Sequence, residues 1–274
     1  MLNNIYRTIM LISLGIALSS LASCNFSTED MKRIVRKEAG KDDYRDSEKW
    51  GKVMTKTLTL DDFTHINLDG NADIKFRQGD ELSVEAYGNE HAINGNDIKV
   101  VDGTLQVSLK PNADKRQPTI RLTITAPTLE SIHVSGAGDI ELKDTIELSN
   151  DLDISISGAG DVEIDRLKAK SFSLQISGAG DITAQKIKCK KKADISISGN
   201  GDMKADVKAN DIQVTISGAG DADLDVKCQN LTVTAGGTGE IELKGECAHL
   251  TKQSSGKASI DSRKLAIHEG IKIQ

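Results

Sequence analysis

The sequence predicts an all-β protein whose second half is a parallel β-solenoid, because one pentad recurs about every twenty residues. The first copy is Ser-Gly-Ala-Gly-Asp at Ser135–Asp139. Four further copies and two degraded ones begin at Ser157, Ser177, Ser198, Ser217, Gly236 and Ser255. Successive starts lie 22, 20, 21, 19, 19 and 19 residues apart, a period typical of stacked coils.

Alternating sequences on both sides of each pentad predict the strands. Leu152–Ile156 and Asp161–Ile164 place apolar residues at every second position, as a half-buried strand does. The Gly-Ala-Gly between them allows the backbone to turn a corner. Coils stacked about 4.8 Å apart would share one core and bring Ile over Ile and Asp over Asp.

Residues 1–23 predict a lipoprotein signal peptide. Arg7 precedes the apolar run Ile9–Leu18, which is too short to span a membrane. The segment ends in Leu-Ala-Ser before Cys24, which resembles a bacterial lipobox, so Cys24 is the predicted lipidation site. The alternative is an ordinary cleavable signal that happens to precede a cysteine. Asn25 is not the Asp that retains lipoproteins at the inner membrane of enteric bacteria, so we expect an outer-membrane lipoprotein, facing the cell surface or the periplasm.

The remaining chain divides into three parts. Residues 24–52 are polar and charged and predict a tether. Residues 53–130 predict an irregular N-terminal part of the β-helix, and residues 131–274 its regular repeats of about 19–22 residues. Turn signals rich in Gly and Asn separate eight N-terminal strands. They are Lys56–Leu60, Thr64–Leu68, Asp73–Phe76, Leu82–Tyr87, Ile98–Val101, Leu105–Leu109, Ile120–Thr125 and Ser131–Val134.

Asp-Gly-Asn-Ala-Asp at Asp69–Asp73 resembles the pentad, which predicts that the solenoid begins there. The segment from Pro127 to Gly138, together with Phe63–Ile66 and Gly103–Leu105, resembles the auto-transporter adhesin head domain, called the GIN domain. The resemblance covers roughly Val53 to Gln274. It implies a right-handed parallel β-helix, a lipid-anchored protein of a Gram-negative bacterium, and adhesion. It brings no catalytic residues.

Composition argues against two kinds of partner. The net charge is −6, from 35 Lys and Arg against 41 Asp and Glu, whereas a nucleic-acid partner requires a concentrated basic face. Aromatic residues make up only 3%, too few for a platform on which bases or sugars stack. The basic run Lys188–Lys192 is interpreted as a solvated corner rather than a site for an anionic ligand.

The repeat also predicts a column of carboxylates, here called the aspartate ladder: Asp139, Asp161, Asp181, Asp202, Asp221 and Glu240. Unit charges about 4.8 Å apart repel by about 0.9 kcal/mol in water, so the column requires compensation. Bound calcium is one hypothesis, but the nine-residue period of calcium-binding glycine repeats is absent. The favoured interpretation has each carboxylate accept hydrogen bonds from backbone N–H groups at the corner, as in an Asx turn, without a metal. The corner glycines are Gly136, Gly138, Gly158, Gly160, Gly178, Gly180, Gly199, Gly201, Gly218 and Gly220.

Three cysteines are predicted to share an inward-facing column. Counting from the pentads places Cys189, Cys228 and Cys247 in the same column as Ala209, Ala266 and Ile146. The alternatives are buried thiols, a Cys228–Cys247 disulfide, or a metal site, for which the spacing is poor. The five histidines share no motif spacing, and no cofactor or catalytic residue is predicted.

These observations predict a non-catalytic cell-envelope lipoprotein, an adhesin or binding scaffold with a repetitive β-helical surface. Its expected partners are the outer membrane, through the lipid anchor, and a protein or glycan ligand, with the solenoid ends open to homo-oligomerisation. The alternative is a carbohydrate-active β-helix enzyme, a lyase or hydrolase. That activity requires carboxylates about 5–9 Å apart in a long groove, and the regular half lacks long loops to wall one.

Overall fold

The computed structural model describes residues 47–273, which form a parallel β-solenoid of about seven turns. The predicted signal peptide, Cys24 and most of the predicted tether lie outside the described residues. No helix within residues 47–273 is long and apolar enough to span a bilayer.

The described elements are short helices and many strands. The helices are α1 (Ser47–Trp50) and α2 (Glu90–Gly95). The first eight strands are β1 (Val53–Leu58), β2 (His65–Asp69), β3 (Ala72–Gln78), β4 (Ser83–Asn89), β5 (Asn96–Val101), β6 (Thr104–Leu109), β7 (Ile120–Ala126) and β8 (Ser131–Val134). The regular part contains β9 (Ile140–Glu147), β10 (Leu152–Ala159), β11 (Val162–Ala169), β12 (Phe172–Ala179), β13 (Ile182–Cys189), β14 (Lys192–Asn200), β15 (Met203–Lys208), β16 (Asp211–Ala219), β17 (Ala222–Thr238), β18 (Glu240–Ser254) and β19 (Ser259–Ile273). All eight predicted N-terminal strands are present, with bounds that differ by a few residues.

Each coil of the regular part consists of two strands joined at a glycine corner, the segment that carries the pentad. Strands β8, β10, β12, β14 and β16 stack in parallel on one face, and β9, β11, β13 and β15 stack on the other. Strands β17, β18 and β19 are long enough to contribute to both faces. The register places Ser157 beside Ser177 and Gly158 beside Gly178, so the predicted stacking of like over like is confirmed.

The N-terminal coils stack out of chain order. Strand β2 pairs with β8 on one side and with β6 on the other, both in parallel. Strand β3 likewise pairs with β9 and with β7. The coil of β2 and β3 therefore lies between the coil of β8 and β9 and the coil of β6 and β7. Its corner aligns with the first pentad, since Asn71 forms a parallel bridge with Ala137.

The two ends of the solenoid differ. At the N-terminal end β5 pairs antiparallel with β6, β4 with β7, and β1 with β4. Trp50, at the end of the segment predicted as a tether, is buried. At the other end β19 pairs with β18 alone within the described residues. The antiparallel strands thus cover the N-terminal end of the solenoid, whereas β19 is an edge strand at the C-terminal end.

The core consists of apolar columns that run along the solenoid axis. One column contains Leu105, Ile66, Ile132, Ile154, Leu174, Ile195, Val214 and Val233, each no more than 1% exposed. Burying such a side chain stabilises a fold by about 1.5–3 kcal/mol. The same position in the next coil is Lys252, so this column ends before the C-terminal edge.

Candidate binding surface along the glycine corner

The corner glycines allow successive coils to approach one another closely. Gly178 has φ +148°, and a Cβ built on it would lie 1.9 Å from the carbonyl oxygen of Gly158. A Cβ on Gly180, two residues later, would lie 2.1 Å from the oxygen of Gly160. Any side chain at these positions would therefore overlap the backbone of the preceding coil, which explains why glycine recurs twice in each pentad.

The aspartate ladder forms a continuous line of hydrogen bonds between coils. The backbone N–H of Asp161 donates to Oδ1 of Asp139 at 2.9 Å, and Asp181 donates in the same way to Asp161. The series continues through Asp202 and Asp221 to Glu240 at 2.8–2.9 Å. Each aspartate carboxylate from Asp139 to Asp221 thus accepts a backbone N–H, as predicted. The donor belongs to the neighbouring coil, whereas an Asx turn uses a donor in its own corner.

Asp73 extends the ladder by one coil, and sequence reasoning did not include it. The N–H of Asp139 donates to Oδ1 of Asp73 at 3.2 Å. The pentad-like segment Asp69–Asp73 carried the signal, since its last residue occupies the ladder position. Burial raises the pKa of Asp73, and this effect exceeds the lowering by the hydrogen bond from Asp139. On the outer side Arg121 of β7 is in register with Asp73, so a cation closes the column at this end.

Backbone hydrogen bonds provide the compensation that the column requires. A hydrogen bond to a charged group contributes about 1.5–3 kcal/mol, more than the repulsion of about 0.9 kcal/mol between neighbouring exposed carboxylates. Within residues 47–273 no group of three or more His, Cys, Asp or Glu side chains has an arrangement that could hold a metal ion. The calcium hypothesis for Asp139 to Glu240 receives no geometric support from these residues.

Two open grooves follow the ladder. One, of about 660 Å³, runs beside the corner from Asp73 to Asp202. The other, of about 880 Å³, extends from Asp181 to Asp261 and includes Arg263 and Lys264. A groove beside the ladder was not expected from the sequence, because no long loop follows the pentads. Outward side chains of neighbouring strands, such as Thr183, Lys204 and Asp223, line the larger groove instead.

The second groove mixes acidic and basic groups that pair with one another. Arg263 donates to both carboxylate oxygens of Asp261, with its Nη2 2.6 Å from Oδ2, and holds the pKa of that carboxyl well below its usual range. A hydrogen bond from Lys264 likewise lowers the pKa of Glu242. Both shifts favour the ionised form, which is the opposite of what a general acid requires.

The cysteines lie in one column, but two of the predicted neighbours are wrong. Cys228 is in register with Cys247, and Cys247 with Ile267 rather than Ala266. On the other side of Cys189 the column continues with Ala169 and then with Leu148. Ile146 is not in this column, because it pairs with Leu167. Register shifts in β9 and β19 explain both errors, since each inserts a residue that a count from the pentad cannot detect.

All three cysteines are free thiols in the structure. Burial raises the pKa of Cys189 and of Cys228 to about 12, and also raises the pKa of Cys247. Such groups are protonated and inert at neutral pH. The candidate functional surface is therefore the ladder and its grooves rather than the thiols.

The predicted basic corner and the histidines are dispersed over the surface. Lys188 ends β13 and Lys192 begins β14, where it pairs with Asp194 at 2.6 Å. His65 hydrogen-bonds Ser131 at 2.9 Å, whereas His249 lies 3.0 Å from Glu269 near the far end. The histidines thus form no common site within the described residues.

Comparison with known proteins places the chain in a family. The sequence profile described as "Putative auto-transporter adhesin, head GIN domain" matches residues 62–206 and 186–272. The chain belongs to the GIN domain family. The solenoid with its glycine corners is therefore a GIN domain, and the resemblance noted from the pentads is confirmed.

Solved structures share the fold of this GIN domain. A protein named "putative adhesin" from Bacteroides fragilis superposes with a TM-score of 0.62 at 23% identity, covering 77% of this chain and 96% of that one. A "putative adhesin" from Parabacteroides distasonis gives 0.60 at 18% identity, covering 81% and 97%. A "putative lipid binding protein" from the same organism gives 0.59 at 16% identity, covering 82% and 97%. No curated protein sequence matches the chain.

Proposed function

We propose that this GIN domain is the non-catalytic binding head of an outer-membrane lipoprotein that acts as an adhesin. The observation that carries the proposal is the repetition of exposed polar groups in strict register, with the same carboxylate presented by each successive coil of the aspartate ladder. A surface that repeats one contact along an axis suits a ligand that also repeats, because many weak contacts then add up.

The proposed position in the envelope follows from the N-terminal segment. Acylation of Cys24 would hold the chain at the membrane, and the polar residues that follow would separate the solenoid from it. About seven coils at 4.8 Å each give a rod on the order of 35 Å long. The rod would thus present its sides, rather than a single pocket, to a partner.

Oδ1 of each ladder aspartate accepts a backbone N–H from the neighbouring coil, which holds the carboxylates in register and supports a repeated binding surface. Both grooves are open; the 880 Å³ groove is lined largely by charged side chains, and the 660 Å³ groove by the ladder aspartates and the small residues of the corner.

Two measurements test the proposal. Labelled fatty acid should be incorporated into the wild-type protein but not into Cys24→Ser, and the variant should leave the membrane fraction. Beads coated with residues 47–274 should retain glycans or proteins of the cell's surroundings above the level of beads coated with an unrelated β-solenoid. Equal retention by both kinds of bead would contradict the adhesin role, and labelling of Cys24→Ser would contradict the anchor.

A carbohydrate-active enzyme is the second candidate, and the pair Asp73 and Asp139 favours it. The two carboxylates occupy adjacent coils in the 660 Å³ groove, and burial raises the pKa of Asp73. A carboxyl group with a raised pKa next to a second carboxyl group is the arrangement of a glycosidase acid and its partner. Release of reducing sugar from a polysaccharide panel, abolished in Asp73→Asn, would establish this activity and overturn the non-catalytic role.

The C-terminal edge supports a proposal on assembly. Strand β19 has no second strand partner within the described residues, and Ile271 is 57% exposed. Edges of this kind pair readily with a second copy of the same strand. Sedimentation should reveal a dimer that Ile271→Lys dissociates, whereas a monomer at all concentrations would contradict self-association through this end.

A further inference from the structure

A second charged column runs along the side of the solenoid. Lys168, Lys188, Lys208 and Lys227 occupy equivalent positions in β11, β13, β15 and β17, directly in register with one another. We call these residues the lysine strip. Glu147 continues the column at one end and Glu246 at the other. The strip is therefore a run of stacked cations with an acidic residue at each end.

Among the described residues, the terminal lysines of the strip have carboxylate partners and the central ones do not. Lys168 contacts Glu147 at 2.5 Å, and Lys227 forms an ion pair with Glu246. No carboxylate of residues 47–273 lies within ion-pair distance of Lys188 or Lys208. Both side chains are exposed. The centre of the strip therefore presents positive charge to solvent.

The surroundings of the strip strengthen the charge on one side and weaken it on the other. Two positions before Lys168 and Lys188 lie Arg166 and Lys186, which are also in register. The same positions in β15 and β17 are Asp206 and Asp225. The positive field is thus greatest around β11 and β13, in a protein whose net charge is −6.

Stacked ammonium groups repel one another and lack the compensation that the aspartate ladder has. In the ladder a backbone N–H is available at each corner, whereas the lysines lie within strands whose backbone groups pair with neighbouring coils. A bound anionic polymer would offset this repulsion. A field of this kind also accelerates encounter with an oppositely charged partner.

We propose that the lysine strip binds a linear acidic polysaccharide, one whose carboxylate or sulfate groups recur along the chain. The inference rests on the adhesin role proposed above and specifies its ligand class. The strip runs from coil to coil along the solenoid, with cations about 4.8 Å apart, which suits an extended polymer.

Two other classes of partner fit this surface less well. The exposed large apolar side chains are Val53, Met54, Val101 and Ile271, none of which is on the strip, so a bilayer would have nothing to insert there. All aromatic side chains of residues 47–273 except Tyr87 are buried. Recognition of neutral sugars or of bases by ring stacking is thus not available on the strip, and charge has to provide the affinity.

The test measures binding of residues 47–274 to polygalacturonate and to dextran sulfate, with neutral dextran and phosphatidylglycerol vesicles as separate arms. The variant is Lys188→Gln with Lys208→Gln. Its control is Lys56→Gln with Lys257→Gln, which removes the same charge from exposed lysines elsewhere. Lys188→Arg with Lys208→Arg keeps the charge. Thermal unfolding of each variant verifies that it folds.

We expect wild type to bind at least one acidic polymer at about 50 mM salt, with affinity falling as salt rises. The Gln variant of the strip should lose about ten-fold in affinity, whereas the control and the Arg variant should stay within about two-fold of wild type. A carboxylate ligand would favour polygalacturonate, and a sulfated one dextran sulfate.

Three outcomes would overturn the inference. Wild type does not bind either acidic polymer, the strip variant and the control lose affinity equally, or the strip lysines govern binding to vesicles but not to polymers. None of these outcomes would by itself contradict the adhesin role. If coated beads still retain a glycan or protein of the cell's surroundings, the domain is an adhesin that binds through a different face.

Discussion

The aspartate ladder and the lysine strip are two like-charged columns on one solenoid, stacked at the same interval but stabilised differently. At the glycine corner the N–H of each ladder residue donates to the carboxylate of the neighbouring coil. The central lysines of the strip have no such partner among the described residues. The comparison teaches that a stacked repeat tolerates a charged column where the backbone supplies counter-dipoles, and that elsewhere the charge stays available to a ligand.

The largest expected effect concerns the corner on which the ladder depends. Gly178→Ala should destabilise the protein by more than about 3 kcal/mol, because the new Cβ would lie 1.9 Å from the oxygen of Gly158. Gly103→Ala is the matched control, since it has φ +69° but no atom within 4 Å of the new Cβ. Its strain alone should amount to about 1–2 kcal/mol. Urea unfolding followed by circular dichroism measures both, and equal losses would show that coil contact is not the cause.

A smaller effect is expected within the ladder. Asp181→Ala removes the acceptor for the N–H of Asp202 and should destabilise by about 1–2 kcal/mol. Asp181→Asn keeps a side-chain oxygen and removes one charge from the column, so its stability should equal or exceed that of wild type. Unfolding in urea with and without calcium provides the measurement. A loss in Asp181→Asn as large as in Asp181→Ala, together with stabilisation of wild type by calcium, would restore the metal hypothesis.

The end of the ladder predicts a pH dependence. Because burial raises the pKa of Asp73 in the folded state, folding favours its protonated form. The destabilisation caused by ionising this buried carboxyl is absent below the ordinary carboxyl pKa of about 4. It grows as the pH rises from there through the pKa of Asp73 in the folded protein. Asp73→Asn should therefore be more stable than wild type at pH 7, with the difference disappearing near pH 3. A constant difference from pH 3 to 8 would show that the ionisation of Asp73 is not responsible.

The smallest effect is expected in the lysine strip. Lys188→Gln should raise stability by about 0.3 kcal/mol in low salt, since it removes repulsion from Lys208 and breaks no ion pair among the described residues. Lys168→Gln is the counterpart, because it loses the contact with Glu147. It should therefore be neutral or slightly destabilising. Unfolding at low and high salt distinguishes them, and identical changes would mean that pairing within the strip has no energetic consequence.

Much of the fold was predictable because its pattern is local. The alternation of apolar residues located β2, β3 and β7 within a few positions, and the twenty-residue period located the corners. The order of stacking was not predictable. The alternation in β2 is compatible with any neighbouring strand, and only long-range pairing with β6 and β8 places it between them.

The candidate site, too, was predictable only in part. The repeated Asp predicted the ladder from Asp139 to Glu240, but the donor for each aspartate carboxylate is in another coil, which no local pattern specifies. The register shift in β9 moved Leu148, rather than Ile146, into line with the cysteines. The sequence groups Lys188 with the basic run up to Lys192, which is interpreted as a solvated corner. The lysine strip joins Lys188 instead to residues about twenty positions away, and only their register makes them one column.

By itself, the sequence determined that this chain forms stacked coils with glycine corners, since period and alternation are properties of neighbouring residues. The tertiary structure decided which coils touch, which end is covered, and which charges find partners. The physical reason is that apolar alternation selects the buried face of a strand, whereas its neighbour and register depend on bulges and on pairings between distant segments.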